Sequence, residues 1–233
     1  VFDGVQDDFT IAVDGDGILT VTDTNTETAL GVDTISGVET LRFNDADLTV
    51  TTAANGDVTL TGVDGFEDVI KVVGSGGVTI EGISGDDTLT GGGGDDSIIG
   101  AAGDDVIDGG SGADLITGGT GNDTITGGEG SDVAVFGGKQ ADFTFAVAAD
   151  GTLTVTDTNT NTALGVDIIS EVETLRFNDG DLTVTTEESG EVTLTGTDQV
   201  DTITVVGAGG ATIEGLAGAD KLLGGAGDDV IIG

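Results

Sequence analysis

This chain contains no cysteine, histidine, methionine, proline, tryptophan or tyrosine. Without cysteine no disulfide can staple the fold and thiol chemistry is excluded. The compartment stays open, because a metal can staple an extracellular fold instead. Without histidine the commonest general base and the commonest zinc or copper ligand are gone. Basic residues are almost missing: Arg42, Lys71, Lys139, Arg176 and Lys221 stand against 44 Asp and Glu, for a formal net charge of −39. Phosphate recognition needs clustered Lys and Arg, so nucleic acid is not an expected partner. An anionic membrane surface would repel this chain unless a divalent ion bridged the two. No apolar stretch approaches the ~20 residues of a membrane helix, so no direct membrane insertion is expected. No signal-peptide pattern is visible. The missing methionine, even at position 1, marks the chain as a processed product or a slice of a longer one.

Self-repulsion on this scale opposes compaction, so the chain is either disordered or folded around bound cations. Content argues for folding: 36% of residues are hydrophobic, many are β-branched, and proline is absent.

Between Gly82 and Val135 one nine-residue pattern repeats six times without a gap: GISGDDTLT, GGGGDDSII, GAAGDDVID, GGSGADLIT, GGTGNDTIT, GGEGSDVAV. Glycine holds places one and four. Aspartate holds place six, as Asp87, Asp96, Asp105, Asp114, Asp123 and Asp132. A small or apolar residue holds place eight, as Leu89, Ile98, Ile107, Ile116, Ile125 and Ala134. A fixed period is the mark of a stacked repeat. It also sets carboxylates in register, and a column of carboxylates needs a cation.

A longer duplication contains the short one. Residues 19–48 and 153–182 agree at 26 of 30 positions, at an offset of 134. The visible chain is therefore one full unit plus most of a second, which reads as a cut from a tandem array; a single duplication is the alternative. Four regions are expected: an antiparallel β segment over 1–61, a nonapeptide roll over 62–134, a second β segment over 135–195 and the start of a second roll over 196–233. In the first, Phe9, Ile11 and Val13 alternate before a turn at 14–17, and Leu19 and Val21 alternate after it, which signals a hairpin. Further strands are expected at Glu39–Phe43, Leu48–Thr52 and Val58–Thr61. No segment carries a helical period. Asp68 and Asp201 fit place six in degenerate lead-ins, and Asp220 and Asp229 in the second run. Val78 and Ala211 stand where an aspartate is expected.

The physics of GGxGxD points to a hard cation. Glycines allow a turn to aim several carbonyls inward. Ca²⁺ takes six to eight oxygens at roughly 2.3–2.6 Å. Carbonyls and one carboxylate from each of two stacked turns supply them. The three remaining residues make one short strand, so 18 residues form a coil, with coils stacked at the parallel-strand spacing of ~4.8 Å.

The pattern resembles the RTX family, the glycine- and aspartate-rich nonapeptide proteins of bacterial type I secretion. The resemblance implies an all-β fold: a calcium-bound, right-handed parallel β-roll, here alternating with antiparallel β segments. In the family each calcium sits between turn n and turn n+2. One turn offers carbonyls from places one and three with its aspartate, the other carbonyls from places two and four with its own. Carried over, Asp87–Asp105, Asp105–Asp123, Asp96–Asp114 and Asp114–Asp132 make four complete sites. Asp68 with Asp87 and Asp201 with Asp220 make end sites, and Asp229 has no partner above it. The carbonyl ligands would come from Gly82, Ser84 and Gly85; Gly91, Gly92, Gly93 and Gly94; Gly100, Ala102 and Gly103; Gly109, Gly110, Ser111 and Gly112; Gly118, Thr120 and Gly121; and Gly128 and Gly130.

Alternative readings of the acidic run explain less. A solvated face leaves the nine-residue phasing unexplained. A glycosidase acid–base pair needs two unlike environments, whereas the repeat makes every aspartate equivalent. Ice binding, suggested by Thr and Asn at places three and five, finds only Thr120 with Asn122. Places seven and nine should face outward. Ser97, Ile99, Leu115, Thr117, Val133 and Val135 form the more apolar face, which is expected to be covered by the antiparallel segment of the same unit or of a neighbouring one. That segment also resembles sequences found beside such runs in large RTX proteins, through Phe2, Phe9, Val38, Leu41 and Phe43, which read as core. Arg42 and Arg176 are each expected to pair with a carboxylate, and Asp33, Asp45 and Asp47 are further calcium candidates. No catalytic constellation is visible, so the chain is not read as an enzyme. The resemblance implies a calcium-folded, extracellular or cell-surface structural region (an adhesin stalk, a surface layer or a fibre) whose partners are calcium and neighbouring copies. The alternative is a secretion and folding module attached to an extracellular enzyme.

Overall fold

Place eight of each nonapeptide is the axis of the fold. Leu89, Ile98, Ile107, Ile116, Ile125 and Ala134 are all at most 2% exposed, so the residue two positions beyond every aspartate points inward. Leu89, Ile107 and Ile125 stack on one wall, and Ile80, Ile98, Ile116 and Ala134 on the other. The step along each wall is 18 residues, so two nonapeptides close one coil, as the period requires. This computed structural model describes residues 1–14, 18–24, 31–36, 39–43, 45–52, 57–148, 150–162, 164–187 and 189–233. Among them every regular element is a β-strand except two short 3₁₀ turns, Gln6–Asp8 and Gln140–Asp142.

The result is a parallel β-solenoid with two walls. One wall is a single twelve-stranded sheet. The other is a three-, a seven- and a two-stranded sheet, twelve strands again, linked by the bridges Ile11↔Val72 and Phe145↔Val205. The antiparallel residues form two meanders per unit, one in each wall. In the second unit Phe143–Val147, Leu153–Asp157 and Val166–Ser170 lie in one wall, and Thr174–Phe177, Gly180–Thr186 and Val192–Thr195 in the other. The Val166–Ser170 strand pairs parallel with Thr124–Gly130, and Thr174–Phe177 pairs parallel with Val133–Val135. At their far side, Val192–Thr195 pairs parallel with Ala211–Glu214 of the next roll. The meanders are therefore extra layers of the same stack.

This placement corrects one expectation. The face carrying Ile99 and Leu115 is not covered by the antiparallel segment: Leu115 is 39% exposed, and Ile99, Val133 and Val135 are half-buried. The reason is that meander strands satisfy their backbone groups by hydrogen bonding edge-on to the roll, which leaves none of them free to pack across its face.

The hairpin Phe9–Val13 to Leu19–Asp23 is present, with Val13 opposite Leu19 and Ile11 opposite Val21, and strands lie at Thr40–Arg42, Asp47–Thr52 and Val58–Thr61. The hairpin turn at 15–17 and Val38 lie outside the described residues. The core of each meander pair holds a phenylalanine trio with ring centroids 5.1–5.4 Å apart: Phe2, Phe9 and Phe43, repeated as Phe136, Phe143 and Phe177. Arg42 pairs with Asp47 at 2.9 Å and Arg176 with Asp181 at 3.4 Å, both on the surface.

Candidate metal centre

The six central aspartates fall into two buried columns, one at each edge of the roll. All are at most 3% exposed. In the first column the backbone N–H of each place-six residue donates to Oδ1 of the aspartate one coil on. The steps are Asp68 to Asp87 at 2.7 Å, Asp87 to Asp105 at 2.8 Å and Asp105 to Asp123 at 3.0 Å. In the second, Val78 donates to Asp96, Asp96 to Asp114 and Asp114 to Asp132, each at 2.8 Å. The pairs expected from the repeat are thus brought together directly, and Val78 keeps the amide while lacking the carboxylate.

One oxygen of each carboxylate is thereby used. The other, Oδ2 of Asp87, Asp96, Asp105, Asp114, Asp123 and Asp132, is buried with no hydrogen-bond partner. An unpartnered buried carboxylate oxygen is costly, and six in register point to something that occupies them all. Each Oδ2 lies over the place-one glycine of its own turn. A Cβ on Gly82 would stand 2.2 Å from Asp87 Oδ2 and 2.9 Å from the Gly100 carbonyl oxygen; on Gly91, 2.3 Å from Asp96 Oδ2 and 2.6 Å from Gly109 O. The same holds at Gly100, with Asp105 Oδ2 at 2.2 Å and Gly118 O at 2.7 Å. Carboxylate and carbonyl oxygens thus converge where only glycine leaves room. Place two demands something different, a positive φ. Gly92, Gly110 and Gly128 adopt it, but so do Ile83 at 85° and Ala101 at 81°. Place four is glycine throughout, with φ between 99° and 149° at Gly85, Gly94, Gly103, Gly112, Gly121 and Gly130. The place-three carbonyls of Ala102, Ser111 and Thr120 accept the place-four N–H of the preceding coil at 2.8–3.0 Å, and Ser84 accepts from Gly65. A carbonyl retains a second lone pair for an ion.

Burial pushes these carboxyls up. Asp87 and Asp123 rise to about 6 and Asp96 to about 7, with neighbouring carboxylates adding to the effect and the N–H bond opposing it. Asp105, Asp114 and Asp132 move the same way for the same first cause. The donor set fits a hard divalent cation: oxygen only, with one free carboxylate oxygen per turn. Among the described residues no three acidic side chains converge, so backbone carbonyls must complete a six- to eight-oxygen shell.

The ends of the columns differ from their middles. Asp68 Oδ1 accepts from Gln6 Nε2 at 3.0 Å and its Oδ2 from Val63 N–H at 2.7 Å. Asp201 repeats this with Gln140 at 2.9 Å and Thr197 at 2.7 Å. Both carboxylates are met by protein donors. Gln6 and Gln140, 2% and 1% exposed, are neutral caps at the start of each roll. Their backbone N–H groups are in turn held by Asp45 and Asp179, at 3.0 and 2.9 Å. No local pattern marks either glutamine; only their position in both copies of the duplication could have singled them out. Of the further calcium candidates, Asp45 is spent on Gln6, Asp47 on Arg42, and Asp33 is exposed. Asp220 and Asp229, half-buried, accept from Asp201 and Ala211 N–H at 3.1 and 3.0 Å. Asp132 N–H donates to Glu173 Oε2 at 2.8 Å and Asp123 N–H to Asp167 Oδ1 at 2.9 Å, so both columns run on into the meanders.

A sequence-family comparison matches residues 81–116, 108–143 and 206–233 to the RTX calcium-binding nonapeptide repeat (4 copies). These are RTX calcium-binding nonapeptide repeats. RTX nonapeptide repeats bind calcium, and the parallel β-solenoid seen here is the fold typical of such repeats. No curated protein matches the chain. Among solved structures it is similar to the extracellular lipase LipA from Serratia marcescens, at 19% identity and a TM-score of 0.26. The likeness covers 63% of this chain and 28% of the lipase.

Proposed function

We propose that this RTX chain is a section of a calcium-stiffened strut in a large secreted or cell-surface bacterial protein: an adhesin stalk, a surface layer or an extracellular fibre. It stays expanded where calcium is scarce and folds after export. The ligands are the six central aspartates with place-one to place-four carbonyls, several ions per roll. The observation that carries this reading is the end-on stacking of roll and meander. Among the described residues the first unit places seven strands in each wall, from Thr40–Arg42 to Val133–Val135 in one of them. At ~4.8 Å per strand, a unit adds roughly 34 Å of rod. A linear gain in length with each copy suits a spacer, and neighbouring copies of the unit are the partners such stacking favours. Calcium that binds only the folded chain stabilises it by mass action.

Mass measurement and negative-stain imaging of the native polypeptide, with calcium and with chelator, test this. Rods that lengthen by about 34 Å per unit and collapse in chelator are expected. A native polypeptide with a single such region joined to a catalytic domain would replace the strut with the enzyme-module alternative.

A further inference from the structure

The first aspartate column does not end with the nonapeptides. Asp123 N–H donates to Asp167 Oδ1 at 2.9 Å, inside the 2.7–3.0 Å range of the links below it, although the two residues are 44 apart instead of 18 or 19. The strand that follows keeps the register, with Thr124, Ile125 and Thr126 paired to Ile168, Ile169 and Ser170. Burial alternates as in a nonapeptide: Asp167 and Ile169 are inside, at 4% and 2%, and Ile168 is exposed. Two residues before the aspartate stands Gly165, at φ 86°, in the role of a place-four glycine. A Cβ there would stand 1.8 Å from Gly121 O, as one on Gly103 would from Gly85 O. Gly165-Val166-Asp167 is thus a nonapeptide turn stripped to its glycine and aspartate, lying beyond residues 81–143 where the repeat is recognisable.

We propose that this turn holds a further calcium ion, between the Asp123 turn and Asp167, so that the cation column bridges roll and meander. The proposal rests on the calcium reading of the nonapeptide coils. Two observations besides the acidic pair support it. Asp123 is 1% exposed, and its Oδ2 has no protein partner. That oxygen lies over Gly118, where a Cβ would stand 2.1 Å from it. A buried carboxylate oxygen without a partner, facing a second carboxylate one coil on, is chemistry for a divalent cation. Backbone amides hold both carboxylates in place, Asp105 N–H that of Asp123 and Asp123 N–H that of Asp167.

Native mass spectrometry of the whole chain in calcium counts the ions. Asp167→Asn keeps an Oδ1 to accept from Asp123 N–H and removes the charge. It should bind one ion fewer than wild type with an unchanged β circular-dichroism signal, while Asp47→Asn, a surface residue paired with Arg42, should lose none. An unchanged count in Asp167→Asn overturns the proposal. A wild-type chain that binds no calcium overturns the nonapeptide reading as well, so the two failures are distinct. If Asp167→Asn does not fold, anomalous scattering from wild-type crystals grown in calcium decides. A peak between Asp123 and Asp167 supports the site, and its absence beside filled nonapeptide sites refutes it.

Discussion

Removing calcium at pH 7.5 should unfold the roll, and acidifying the calcium-free chain should bring it back. The magnitude follows from three aspartates. Asp87 and Asp123 sit at about 6 and Asp96 at about 7, raised chiefly by burial from an ordinary value near 3.8. Holding each ionised inside the empty roll costs on the order of 3–4 kcal/mol. Together these three reach the order of 10 kcal/mol, which matches the whole stability of a typical domain, about 5–15 kcal/mol. Asp105, Asp114 and Asp132 add to the same side. The sign is that of a raised acid. The folded state binds the proton more tightly, so empty-roll stability is lost as pH rises through about 6–7 and is regained towards 3.8. Calcium removes the same penalty at neutral pH by meeting the charge. The assay is far-ultraviolet circular dichroism, since a chain without tryptophan or tyrosine has no useful fluorescence. Dialysed, metal-free protein should lack β signal at pH 7.5, gain it at pH 7.5 with calcium, and gain part of it without calcium near pH 5.5, safely above the isoelectric point of 4.1. The calcium midpoint should also rise as pH falls, because binding releases protons. Full β signal in metal-free protein at pH 7.5 would refute the reasoning.

Other expectations follow from single residues. Gly100→Ala puts a Cβ 2.2 Å from Asp105 Oδ2, so its calcium midpoint should rise about tenfold or more, which a titration by circular dichroism reads. Gln140→Ala strips a donor from buried Asp201 and an acceptor from Thr202 N–H; thermal unfolding in saturating calcium should show a loss of about 1–3 kcal/mol. Ile107→Ala, at a side chain 1% exposed in the middle of one wall, should cost about 2–5 kcal/mol in the same assay. Leu115→Gln, on the uncovered face, should stay within about 0.5 kcal/mol of wild type.

The nonapeptide coils were legible because a fixed period makes geometry a matter of counting. Place eight had to be inside if place six was, and Leu89 to Ala134 are. The pairs Asp87–Asp105 and Asp96–Asp114 follow from two repeats per coil. What stayed hidden has no period. The Val32–Ile35 strand and its copy Val166–Ser170 keep only a glycine and an aspartate of the repeat, and Asp167 meets Asp123 across 44 residues. Gln140 reaches Asp201 across 61 residues through one side-chain bond, which leaves no trace in local pattern. The covering of Leu115 failed as an expectation for a different reason. Apolar character does not by itself require a partner sheet, and a leucine left 39% exposed on a sheet face is ordinary.

Both walls pass through the meanders without gaining or losing a layer relative to each other. An array of such units would therefore work as a ruler. The uncovered Ile99, Leu115 and Val133 strip would recur on the same wall at intervals of roughly 34 Å. A surface ligand too weak to hold one strip could then hold many at once, with a spacing set by calcium.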